Sequence, residues 1–243
     1  DLIFQVAPIQ EHAISFSGST EKTSFFLSGS YFAQEGIIKN TGAQKGSLKL
    51  SMQHQLHERL TITEDVILTR RENQNTRVEG AYGKTALSGA MAASPTLPVY
   101  DDEGLPTLLE AAYPFSPVDS ENPVLFLDPR KDKRIMDQLL ANTKINYEIT
   151  DGLSIQSMAG YEYYYGIREY FIPIIYSFDK GYTSEEYAYT RSFVNENTIN
   201  YKKTFAGKHS VNLVGGLTYQ DHTSRSLGIS VEDLASNITE NYD

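Results

Sequence analysis

The sequence predicts an all-β fold, an antiparallel outer-membrane β-barrel segment, and three observations carry the prediction. Apolar residues recur at every second position in segment after segment. The connections between those segments alternate short and long without exception. No apolar run approaches the ~20 residues that a membrane helix needs. The longest such run, Phe171–Tyr176, is interrupted by Pro173.

Period-two alternation marks a strand whose faces meet different environments. Ile14 and Phe16 alternate with Ser15 and Ser17, and Phe25, Leu27 and Tyr31 share a face opposed partly by Ser28 and Ser30. Leu48, Leu50 and Met52 alternate with Lys49, Ser51 and Gln53. Ile145, Tyr147 and Ile149 alternate with Lys144, Asn146 and Glu148. Leu153 and Ile155 begin a face that Ala159, Tyr161 and Tyr163 continue. Val211, Leu213, Leu217 and Tyr219 alternate with Asn212, Thr218 and Gln220. Leu60–Arg70 and Phe193–Phe205 fit less well, because Glu64 falls on the face of Ile62, Val66 and Leu68 and only Ile199 and Tyr201 alternate cleanly. Together these give about eight strands.

Short turns lie at Ser19–Ser24, His57–Arg59, Thr150–Gly152 and Ala206–Ser210, and long links at Glu35–Gly46, about 71–138, and Gly166–Tyr187. An outer-membrane barrel sorts its connections this way, with short periplasmic turns and long extracellular loops. A soluble sandwich has no reason to do so. The longest link holds two helix-compatible pieces, Lys84–Ala93 and Pro106–Ala112, then Pro114, Pro117, Pro123 and Pro129, a composition expected of an ordered, lid-like loop. The chain starts without an initiator Met or signal peptide and ends in Leu227–Asp243, which reads as no closing strand. The expectation is a partial barrel over residues 1–243, without a plug domain.

Composition agrees with a wall between water and oil. Tyr numbers 17 and Phe 11, with no Trp; tyrosine joins an apolar ring to a polar tip. Net charge is −10 and the basic residues are dispersed, which argues against nucleic acid as a partner. No Cys is present, so disulfides, thiolate metal sites and cysteine nucleophiles are excluded.

Enzyme constellations do not survive geometry. His54 and His57 match no zinc-protease spacing and fall on opposite faces of a strand, so they read as one inward polar residue and one turn residue. Gly83-Lys84-Thr85 lacks the first glycine of a phosphate loop, since position 78 is Val. No G-x-S-x-G occurs. Asp101, Asp102 and Glu103 are hard oxygen donors to which Ca²⁺ is a candidate ligand, although a solvated turn is the simpler reading because the spacing of a calcium loop is missing. Apart from that calcium, no cofactor is expected. In the run Tyr161, Tyr163, Tyr164, Tyr165, the odd members continue the Leu153–Ile155 face and read as an interfacial aromatic girdle. Tyr164 points the other way and is the better substrate-binding candidate, with Tyr100 and Tyr113 of the long loop as further ones.

Several phrases resemble the SusC/RagA-like TonB-dependent transporters. They are Ala7-Pro8-Ile9-Gln10, Ser15-Phe16-Ser17-Gly18, Ser28-Gly29-Ser30-Tyr31-Phe32 running into Gln34-Glu35-Gly36-Ile37-Ile38-Lys39-Asn40, Ser94 to Asp101, Asn122-Pro123, Glu196-Asn197-Thr198, Lys203-Thr204-Phe205 and Gly207-Lys208-His209-Ser210. The resemblance implies the early region of a plugged barrel of the 22-stranded class. It also implies a Gram-negative outer membrane and its lipid, a SusD-like lipoprotein lid, energy from the TonB complex through parts outside this chain, and glycan or peptide cargo. On this reading the chain belongs to an importer, not an enzyme. Two alternatives are a self-contained eight-stranded barrel with a structural or adhesive role and a soluble extracellular glycan-binding β-domain. The first requires an end strand able to pair with the first strand, and the second requires the apolar rows to pack on a second sheet.

Overall fold

The computed structural model describes residues 2–76, 85–96, 98–108, 122–127, 131–174 and 180–236. They form one antiparallel sheet of eight strands in sequence order: β1 Ile9–Ser19, β2 Thr23–Glu35, β3 Gly42–His57, β4 Leu60–Asn75, β5 Lys131–Thr150, β6 Leu153–Ile172, β7 Tyr182–Phe205 and β8 His209–Glu232. β1 and β8 are the two edges and do not pair with each other, so the described sheet is not a closed eight-stranded barrel. No second sheet packs on it among the described residues.

Register fixes what each face carries, because directly opposed residues point to the same side. One row runs Ile14, Gly29, Leu48, Leu68, Leu139, Tyr163. Another row joins Tyr147, Ile155 and Ile199. The adjacent row on the opposite face runs Ser30, Ser47, Thr69, Gln138, Tyr164, Thr190, Ser224. The apolar face is open: Leu48 is 57 %, Leu213 60 % and Leu217 80 % exposed. A face of this chemistry left uncovered is what a lipid-facing wall presents. Glu64 does lie on it, between Met52 and Thr143, where the Thr143 hydroxyl donates to its carboxylate at 2.7 Å.

The short turns close tightly. Gly152 has φ +82°, and a Cβ there would come 2.1 Å from the carbonyl oxygen of Lys202. At the β7–β8 turn Ala206 (φ 51°) and Gly207 (φ 67°) both take the left-handed conformation that matches hairpin twist.

Four sequence expectations change. The long links are shorter than expected, because β3 begins at Gly42, β4 runs to Asn75, β5 starts at Lys131, β6 runs to Ile172 and β7 starts at Tyr182. These extensions carry polar residues on both faces, so alternation never marked them; ladder bonds and pairs such as Lys133–Glu72 at 2.7 Å hold them. The Leu227–Asp243 tail is not strandless, since β8 continues through Glu232. His54 is not inward: it opposes Ile62 on the apolar side, and its Nδ1 lies 2.6 Å from Thr23 Oγ1. Of the two helix-compatible pieces, the first is helix α1, Ala86–Ala92. Pro106 instead bridges Tyr100, and residues 109–112 lie outside the described residues.

At the long-link end a small core gathers segments distant in sequence. Ile3, Ile38, Ala86, Phe126 and Leu127 are buried together, with Phe4 against them. Thr85 caps α1, its hydroxyl accepting from the Ser88 amide. Asn40 and Thr76 donate to the carbonyls of Leu127 and Phe126, at the end of a 3₁₀ turn at Pro123–Phe126. The loop is thereby pinned to the β2–β3 link and to the segment preceding β1.

Candidate functional site

Two groups of side chains face the space on the polar side and the loop end. The first is centred on Tyr164, which alternation turns away from Tyr163 and Tyr165 and places between Gln138 and Thr190. Its ring lies over Gly166, where a Cβ would sit 3.5 Å from the ring and hydroxyl; the glycine leaves room for the ring to lie flat along the strand. Around it, the Gln138 amide donates to Glu162 at 3.2 Å, Thr190 donates to Ser224 at 3.1 Å, and Ser192 lies 2.9 Å from His222 Nδ1. This is a surface of hydroxyl, amide and carboxylate groups beside one aromatic face. Such a surface hydrogen-bonds and stacks.

Further toward the loop end on the same face, Arg168 makes a two-pronged contact with Asp132, Nε to Oδ1 at 3.0 Å and Nη2 to Oδ2 at 3.3 Å. Arg134 approaches the same carboxylate at 3.7 Å, Glu186 opposes Arg168 in register, and the guanidinium lies 5.3 Å from the Tyr170 ring centre. The hydrogen bond to Asp132 holds the Arg168 guanidinium above its ordinary pKa, against a smaller opposing effect of burial. Sequence reasoning passed over Arg168, Asp132, Glu162, Gln138 and His222, although the parity that turns Tyr164 inward assigns the inner face to most of them.

The second group is the hairpin Val99–Thr107. Asn122, 1 % exposed, staples its base: the side-chain amide donates to Val99 O at 2.8 Å and Thr107 O at 3.2 Å. Asp101 Oδ1 accepts from the Glu103 and Leu105 amides at 3.0 and 2.8 Å. The Asp101 carboxylate therefore closes its own turn. No cluster of three His, Cys, Asp or Glu side chains able to hold a metal occurs among the described residues. Tyr100 is 47 % exposed and, with Leu105, Pro106, Val124, Leu127 and Ile174, lines a groove of about 830 Å³ that Tyr164 does not line. Tyr100 and Tyr164 therefore do not share that groove. Tyr113 lies outside the described residues.

With this geometry in place, the relatives are informative. The chain is 26 % identical over 227 residues, 90 % of its length, to "TonB-dependent receptor P3" of Formosa agariphila. It is 24 % identical over an alignment of 255 positions, covering all of its length, to "TonB-dependent receptor P26" of the same organism. The chain is a relative of the TonB-dependent receptors. It spans 22 % and 24 % of the length of these two curated relatives, about a quarter. No family model matches it. The fold of this TonB-dependent receptor relative is that of a segment of the RagAB peptide importer: 97 % of the chain superposes on 27 % of that chain in its "closed-closed" state, with TM-score 0.79 and 20 % identity. The "open-open" state superposes on 94 % of the chain with TM-score 0.77. The relatives' names are those of receptors and an importer rather than enzymes.

Proposed function

We propose that this sheet is part of the wall of a TonB-dependent importer in a Gram-negative outer membrane, whose cargo is a glycan or a peptide. The observation that supports it best is the sorting of chemistry by face: an exposed apolar side, and an opposite side of serine, threonine, amide and tyrosine side chains. Leu48 and Leu139 meet lipid, while Gln138, Glu162 and Tyr164 line the cargo path. The ordered loop end, with its Tyr100 hairpin, is where a SusD-like lipoprotein lid sits. Coupling to the TonB complex runs through other parts of the parent protein.

The test uses the intact parent protein in its own membrane, because this chain contributes no cysteine. Single cysteines at Leu48, Leu139 and Leu213 are expected to resist a water-soluble thiol reagent, and those at Lys49, Gln138 and Thr190 to react with it. Equal labelling of both sets rules out the wall. Uptake of labelled oligosaccharides and peptides by cells with and without the gene, and with and without TonB, then identifies the cargo. Uptake that persists without TonB rules out the energised importer.

A further inference from the structure

The apolar face is not uniformly smooth. Near its loop-side edge, a groove of about 830 Å³ crosses β1 to β6. Its floor is made by two glycines, Gly29 opposite Ile14 and Leu48, and Gly46 opposite Tyr31 and Arg70. A Cβ on Gly46 would meet nothing within 4 Å, so the depression there is open space rather than a tight approach. Leu48, Leu68 and Leu139 wall one side; Tyr31, Arg70 and Asp137 stand along the other. The volume falls in the range of sites that hold a small molecule.

The height of the groove decides what fits. From Leu60, beside the short turn, to Arg70 is a rise of ~25 Å, at ~3.3 Å per residue along a strand tilted ~40°. That distance equals the height of a barrel's apolar band, so Arg70 sits where hydrocarbon gives way to lipid head groups. Its side chain is 63 % exposed and meets Asp137, whose side chain is 43 % exposed, only at 3.7 Å. A pair this long and this wet binds weakly. Arg70 keeps donors for an oxyanion in the planar fork that suits phosphate.

We propose that this groove seats one phosphate-bearing lipid of the outer leaflet, its acyl chain along Leu48, Leu68 and Leu139 and its phosphate on Arg70. The inference rests on the membrane-wall reading and adds to it a fixed site in place of freely exchanging lipid.

The experiment places the intact protein in vesicles of digalactosyldiacylglycerol, a phosphate-free lipid, with a trace of photoreactive-tailed probe. One probe is phosphatidic acid and the other is digalactosyldiacylglycerol with the same tail. Phosphatidic acid is expected to label the Ile14–Leu139 groove peptides about tenfold more than the galactolipid probe, the ratio that one charge-assisted contact supplies. Arg70→Gln is expected to bring the two probes level. Gly46→Leu, which fills open space without a backbone clash, is expected to remove groove labelling by both. Equal labelling by the two probes, or labelling unchanged in both variants, overturns the site. So does a groove that neither probe reaches, as when a second protein copy covers it. Labelling around Ile145 and Ile199, far from the groove, reports the wall reading separately: if the galactolipid probe fails there too, the wall reading has failed.

Discussion

Gly152 has little freedom to change. Its positive φ and the Lys202 carbonyl 2.1 Å from any added Cβ combine with a ladder bond, Lys202 N to Gly152 O at 2.7 Å, to lock the β5–β6 turn against β7. Gly152→Ala is expected to cost at least ~2 kcal/mol, since the left-handed conformation alone costs about 1–2 kcal/mol; a urea midpoint of the refolded protein measures it. Tyr187 offers a pH handle at the loop end of β7, eighteen residues from Phe205 and so beyond the ~25 Å band. Its hydroxyl donates to Glu185, and that bond, then burial, pushes the phenol up to about 12 from an ordinary 10.0. The raised value means its contribution is complete below pH 10 and is lost as pH climbs toward about 12. Absorbance titration of tyrosinate is expected to lose its latest step in Tyr187→Phe, and an unchanged curve counts against the assignment.

At the scale of elements, the loop-side halves of β4, β5 and β6 stand on polar pairs. Asp132→Asn removes the carboxylate shared by Arg168 and Arg134. Both cations are partly wet, so the expected loss is about 1 kcal/mol rather than the larger figure of a buried pair. It is expected as faster amide exchange confined to residues 131–135 and 167–172, with the turn-side halves unchanged. The difference between the two halves also explains what the sequence revealed. Ile145, Tyr147, Leu153 and Ile155 sit between water and oil, and that contrast writes period-two alternation into the chain. Lys133, Arg134, Glu169 and Glu185 put charge on both faces, so nothing in their order distinguishes strand from loop. Tyr164 was legible because parity carries its direction. The Asn122 staple was not, because its partners are 23 and 15 residues away and neither is near it in pattern. Glu64 was legible as a misfit, and its partner Thr143 was not, being 79 residues distant.

Taken whole, the sheet is a boundary between two solvents, and its faces tolerate opposite substitutions. Val66→Arg, near mid-band on the apolar side, is expected to lower stability by about 2–4 kcal/mol, the cost of a cation on a barrel's lipid face. Thr69→Arg, on the polar side between Ser47 and Gln138, is expected to change it by less than about 1 kcal/mol. Folding into vesicles followed by urea titration compares them, and equal effects mean that the two faces share one solvent. The strands also lengthen steadily along the chain, from 11 residues in β1 to 24 in β7 and β8. With every strand rooted at the same short-turn end, the upper rim climbs from one edge of the sheet to the other. At ~3.3 Å per residue and ~40° of tilt, β8 stands ~60 Å tall and β1 less than half of that. The described rim therefore slopes, low at the β1 edge, where the Ile3–Phe126 core caps it, and tall at the β7–β8 edge.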